Sequence, residues 1–185
     1  MKKLARVALA CGALAGLVSA QTSPVAEVRA AIAKNDLTAA ERIAREHLSV
    51  SGNAPVAIEA LSRVGRGALA AGQLDIAGSV ARETQRLAEA ALGNRPLDAV
   101  PGLPIALGGA LEFQAQVLSA RGARSEAVYL LTRELERHGD TSVYERLQKN
   151  LHLLNLVGTP APALGAPGFL GAGRASIASM KGSPL

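Results

Sequence analysis

The chain has 185 residues, of which 49% are hydrophobic but only 2% aromatic, with no tryptophan. A core must therefore come from Ala, Leu, Val and Ile, which favours closely packed helices over strands. The formal charge of +5 overstates the basic character: without Lys2, Lys3 and Arg6 at the extreme N-terminus, 17 basic residues face 15 acidic ones, and that near-balance gives no case for nucleic acid, which requires a clustered basic stripe.

Those three basic residues precede an apolar run from Val7 to Leu17, and Val18-Ser19-Ala20 supplies small residues ahead of Gln21. A charged start, a short apolar stretch and a small-residue cleavage site form an export signal over residues 1–20. The run is too short for an ordinary membrane-spanning helix. The expected product is exported, periplasmic or secreted, with no membrane span after cleavage. Retention as an anchor is one alternative. Lipidation at Cys11 is another, although only Val7 to Ala10 would then remain as the apolar core. Cys11 is the single cysteine. Cleavage after Ala20 leaves no disulfide, thiolate nucleophile or cysteine metal site.

From Ser23 to Leu156 the pattern is helical, which predicts a helical region over residues 21–156. Ser23-Pro24 reads as an N-cap with Pro at the first helical position. Val25, Val28, Ala31 and Ile32 then recur at helical spacing. Asn35-Asp36 breaks the run. Thr38-Ala39-Ala40-Glu41 fits a capping box, with Ala40, Ile43, Ala44, His47 and Leu48 as the next apolar face. "SVSGNAP" reads as a turn. A third helix is predicted over Ala54 to Ala71, with Ile58, Leu61 and Leu69 inward, and a fourth over Leu74 to Leu92. "GNRPLDAVPGLP" is a long Gly/Pro-rich break. A fifth helix follows over Ile105 to Arg121 and a sixth over Ser125 to His138, stopped by Gly139. Ser142-Val143-Tyr144-Glu145 is a second possible capping box, opening a seventh helix with Val143, Leu147, Leu151 and Leu154 on one side.

The chain also repeats itself. Asn35-Asp36-Leu37-Thr38-Ala39-Ala40 recurs as Gly72-Gln73-Leu74-Asp75-Ile76-Ala77 and, more weakly, as Gly122-Ala123-Arg124-Ser125-Glu126-Ala127. The copies lie 37 and 50 residues apart, the second offset being the first plus the Pro/Gly-rich insertion. A turn residue lets the chain reverse, and the later Ala lets two helix backbones approach. At these residues the segment resembles the tetratricopeptide-repeat superfamily over about residues 24 to 140. That family's G-x-Y-x-x-A turn appears with Leu37 and Leu74 in place of the aromatic, and Arg124 departs further. A different helical bundle is the alternative. The resemblance implies an all-α array of antiparallel helical hairpins, its open end covered by the seventh helix. It also implies a groove for a protein or peptide partner.

After Leu156 the composition turns rich in Gly, Pro and Ala, and the plain expectation for residues 157–185 is an irregular, flexible tail. Two motifs sharpen it. Val157-Gly158-Thr159-Pro160-Ala161-Pro162-Ala163-Leu164 resembles the opening of thioredoxin-like redoxin domains. Ser176-Ile177-Ala178-Ser179-Met180-Lys181-Gly182-Ser183-Pro184-Leu185 resembles the stretch that family carries before its first central strand. The resemblance implies a parent thiol–disulfide oxidoreductase or peroxiredoxin-related protein. Its Cys-x-x-Cys part would lie beyond Leu185, making the chain a truncated frame or a fragment. No catalytic residue of that family can be carried over to this sequence.

No other constellation carries chemistry, so no catalytic, cofactor-binding or metal-ligating residue is assigned and no cofactor is expected. His47, His138 and His152 lack zinc-ligand spacing. His138 near a helix end suits the helix dipole. Glu134 and Glu136 point to different sides of their helix. Gly108-Gly109 and "GFLGAG" lack the strand-to-helix setting of a phosphate loop. Gly65-Arg66-Gly67 inside the third helix calls for close packing or a kink. Arg42-Arg45 and Arg63-Arg66 each put two guanidinium groups on one helix face. The ordinary reading is a solvated face paired with nearby acids; the sharper one is a site for an acidic partner. The expected activity is non-enzymatic protein interaction or scaffolding.

Overall fold

The computed structural model describes residues 23–156 and Gly158; the expected export signal and the stretch expected to open a redoxin domain lie outside the described residues. The described chain is all-α. Seven helices follow one another: α1 Pro24–Ala33, α2 Leu37–Ser51, α3 Pro55–Ala70, α4 Leu74–Leu92, α5 Leu103–Ala120, α6 Arg124–Arg137 and α7 Tyr144–Leu156. The Gly/Pro-rich insertion between α4 and α5 holds one 3-10 turn, Leu97–Ala99.

The helices form two layers. The odd helices pack in series, α1 on α3, α3 on α5 and α5 on α7, and each even helix packs on its odd neighbours. Odd helices run parallel to one another: Gly102 at the start of α5 meets Pro55 at the start of α3, while Gly67 late in α3 meets Ile32 late in α1. Even helices run against them. Glu27 early in α1 lies 3.5 Å from His47 late in α2, Asp75 at the start of α4 pairs with Arg121 just past the end of α5, and Arg124 at the start of α6 donates to the Leu154 carbonyl near the end of α7.

The three repeated turns are built alike. Asn35, Gly72 and Gly122 all adopt positive φ, at 58°, 71° and 81°. The following N–H, of Asp36, Gln73 or Ala123, donates to the carbonyl of Ala31, Ala68 or Leu118 at 2.9–3.0 Å. This is the Schellman closure of a helix C-terminus. The alanine that ends each copy, Ala40, Ala77 or Ala127, is fully buried.

Among the described residues, thirteen of the 29 buried apolar side chains are alanine, so the helix axes can lie close together and the larger side chains are few. Ile58, Leu103, Leu107, Leu111, Leu131 and Leu147 join the later helices in one cluster, and Val28, Ala40, Leu61, Val64 and Val80 join the earlier ones in another. Glycines mark the tightest crossings. A Cβ on Gly65 would stand 3.4 Å from Val80, and one on Gly67 would stand 3.1 Å from Ile32. The paired glycines of α3 therefore serve close packing.

Two capping boxes are corrected. α2 starts one residue before Thr38: Asp36 is its N-cap, and its side chain accepts from the Ala39 N–H at 2.9 Å. Ser142 is held instead by Asp98 of the insertion, which accepts from the Ser142 N–H at 3.0 Å and from its hydroxyl. Two boundaries shift as well. α2 runs through Ser51 into the expected turn, and α5 starts at Leu103 because Pro104 occupies its first turn. Ile58 and Leu61 are fully buried, and Leu69 is half-buried against the Ala68, Ala77 and Val117 cluster.

Candidate interaction face

Among the described residues, the odd layer has a face where side chains of α3, α5 and α7 meet one another with no even helix between them. Heptad-like spacing along α5 brings Ile105, Glu112 and Gln116 to this side. Ile105 is exposed, and Glu112 and Gln116 are half-buried. α3 contributes Glu59, Ser62, Arg63 and Arg66, and α7 contributes Arg146, Asn150 and Leu153.

Two glycines of α5 set the floor. A Cβ on Gly109 would sit 2.8 Å from the Ser62 Oγ of α3, and one on Gly108 would sit 3.2 Å from both Val143 and the Arg146 side chain. The absence of side chains there lets α3 and α7 close on α5 from both sides. It also lets Arg146 lie flat across the α5 backbone, where its Nη1 donates to the Ile105 carbonyl at 3.3 Å. Gly108-Gly109 is thus a packing device within a helix.

The charges at the centre do not cancel. Arg146 Nε stands 3.4 Å and Arg66 Nη2 3.9 Å from the same oxygen, Oε2 of Glu112. Neither contact is a hydrogen bond. Glu112 Oε1 accepts from Gln116 Nε2 at 3.1 Å, and Gln116 also reaches Asn150 of α7 at 3.2 Å. The Arg66 guanidinium lies over the Phe113 ring, 5.0 Å from its centroid. Arg63 is held by Glu59 at 2.7 Å. One turn further along, Ala115, Gln116, Asn150, Leu153 and Leu154 line a cleft of about 160 Å³, and Leu153 is 52% exposed.

The other arginine pair is spent internally. Arg42 pairs with Glu46 at 2.7 Å, and Arg45 with Glu41 at 2.8 Å and, across to α4, with Glu83 at 3.3 Å. The hydrogen bond to Glu41 raises the Arg45 guanidinium above its ordinary range. The solvated-face reading describes Arg42-Arg45. Arg63-Arg66 divides, Arg63 paired on its own helix and Arg66 turned toward α5. Sequence spacing alone could not find Glu112 and Arg146, since their meeting depends on three helices stacking in register.

The histidines do not converge. His47 lies at the α1–α2 seam, His152 is exposed on α7, and His138 is the C-cap of α6. Among the described residues no group of His, Cys, Asp and Glu is placed to hold a metal ion. Burial lowers the pKa of His138, against the pull of Glu134, and so works against a charge at this helix end. Its Nε2 has no hydrogen-bond partner and lies 3.6 Å from Glu134 Oε2. Glu134, fully buried, is gripped by Arg133 and Arg137, whereas Glu136 is exposed. The two glutamates do face different ways. No helix of the described residues is long and apolar enough to cross a membrane. Comparison with protein-family models, with curated proteins and with solved structures finds no match.

Proposed function

We propose that the chain is an exported, non-enzymatic interaction module that holds a protein or peptide partner on the shared face of α3, α5 and α7. One observation carries this reading. That face combines two guanidinium groups sharing a single carboxylate with an open apolar cleft beside them, a mixture suited to recognition. Export follows from residues 1–20, and the groove from the tetratricopeptide-like repeat.

Site-specific photo-crosslinkers at Ile105 and Leu153, with Tyr129 on α6 as control, test it in the producing cell. Discrete crosslinked species from the first two positions are expected. Crosslinks from Tyr129 alone would place the contact on the other layer and overturn the proposal. Purified chain should give no insulin-disulfide reduction and no peroxide turnover; turnover above buffer refutes a purely non-enzymatic role.

The two motifs at 157–164 and 176–185 favour a second reading: the helical region is the N-terminal part of an exported thioredoxin-like oxidoreductase or peroxiredoxin-related protein. It requires an apolar strand and a Cys-x-x-Cys encoded shortly downstream, which genomic DNA read in all frames would reveal or rule out.

A further inference from the structure

We infer that the partner segment for the α3–α5–α7 face is an extended peptide carrying a carboxylate two residues before an aliphatic side chain, with Glu112 acting as an internal stand-in for that carboxylate. The inference rests on the reading of this face as the interaction surface.

Charge stoichiometry is the first support. Arg66 and Arg146 converge from different helices on one oxygen of Glu112, at 3.9 and 3.4 Å. Neither donates a hydrogen bond to it, so both keep donors that Glu112 does not use, beside the one Arg146 gives to the Ile105 carbonyl. The Arg66 and Arg146 side chains retain 47% and 34% of their exposure, while Glu112 retains 15%. The acid is therefore shielded and the cations are open. Arg63 and Glu59 cancel each other nearby, leaving one net positive charge at the centre. Across residues 23–156 the chain has equal numbers of basic and acidic side chains, 15 of each. The attraction is thus a local property of this site. A second carboxylate entering here would balance two guanidinium groups with two acids and accept charge-assisted hydrogen bonds from donors that now lack acceptors.

The cleft is the second support. Arg146, Asn150 and Leu153 follow one another on one side of α7, and the cleft between Asn150 and Leu154 lies roughly 9 Å along the helix from Arg146 at about 1.5 Å per residue. An extended chain advances about 3.3 Å per residue and returns to the same side every second residue. A carboxylate at the arginines thus leaves the side chain two positions later about 7 Å along, within reach of the cleft. Ala115, Leu153 and Leu154 offer that side chain apolar contact, and Gln116 and Asn150, bonded to each other, complete the lining.

The test uses the full chain and the peptide acetyl-Ser-Gly-Glu-Ala-Leu-Gly-Ser-amide, titrated by NMR while following the amides of Gly108 and Gly109 and the methyls of Leu153. Saturable shifts at both places are expected. A peptide with Gln in place of Glu should bind about ten-fold more weakly, the loss of one charge-assisted bond. The variant R66Q/R146Q should weaken the Glu peptide by a similar factor and leave the Gln peptide unchanged. Should that variant lose helicity, Glu112→Gln takes its place: freeing both guanidinium groups should tighten the Glu peptide several-fold. Equal binding of the Glu and Gln peptides, or looser binding to Glu112→Gln, overturns the inference. So does the absence of any shift at Gly109 or Leu153. Crosslinks from Ile105 and Leu153 alongside such a result would leave the interaction reading standing and remove only this partner chemistry. Loss of both would remove the two together.

Discussion

A half-buried imidazole whose Nε2 has no hydrogen-bond partner sits at the end of α6. His138 is only 12% exposed, faces the carboxylate of Glu134 at 3.6 Å, and has Arg137 and Glu89 nearby. Burial lowers its pKa, against the pull of Glu134. The unfolded chain, with an ordinary value of about 6.5, therefore binds the proton more readily than the folded one. Stability is full above that value, falls as pH drops through it, and levels off once the folded ring also protonates. Urea midpoints at pH 7 and pH 5 should differ less in His138→Gln than in the parent chain. Equal pH slopes would show that His138 does not carry the effect. Glycines mark the limit of legibility at this scale. Gly65-Arg66-Gly67 and Gly108-Gly109 are visible as anomalies in helical runs, but whether each meant packing or a kink depended on Val80, Ile32, Ser62 and Val143, which come from other helices.

At the scale of the helix and its turns, local chemistry decides most of the outcome. α4 occupies the expected Leu74–Leu92. The other boundaries move by a few residues, because helix ends depend on which of two adjacent caps wins. Asp36 outcompetes Thr38 because its preceding residue, Asn35, takes the left-handed turn, so Asp36 closes α1 through its N–H and opens α2 through its side chain. Gly72 and Gly122 do the same turning with nothing within 4 Å of where a Cβ would stand. Their replacement by alanine tests backbone strain alone. Gly72→Ala and Gly122→Ala should each cost about 1 kcal/mol of unfolding free energy, and Asn35→Gly should stay within about 0.5 kcal/mol of the parent chain. A neutral Gly72→Ala would mean that the turn does not need its left-handed residue. Ser142 shows the opposite case: its partner Asp98 lies 44 residues away in the insertion, so a local capping pattern misassigned it.

Across the whole molecule, each helix touches its neighbours in the stack and little else. Stability should then be distributed along the array. α7 is the last of the described helices. It buries Leu147 and Leu154 inward, with Val143 just before it, and exposes Glu145, Lys149, His152 and Asn155. Leu147→Ala should cost about 2–5 kcal/mol and speed hydrogen exchange in α6 and α7 more than in α1 and α2. Uniform loss of protection would show instead that the array unfolds as one unit.

Over the described residues, helical periodicity and three turn signatures by themselves determined an all-α run of seven helices and the positions of its reversals, because i to i+4 spacing and left-handed turn residues act within one stretch of sequence. The meeting of Arg66, Glu112 and Arg146 and the cleft beside Leu153 were decided only when α3, α5 and α7 stacked in register. Those contacts join residues at least 34 positions apart, and no local pattern encodes which side chains such distances bring together.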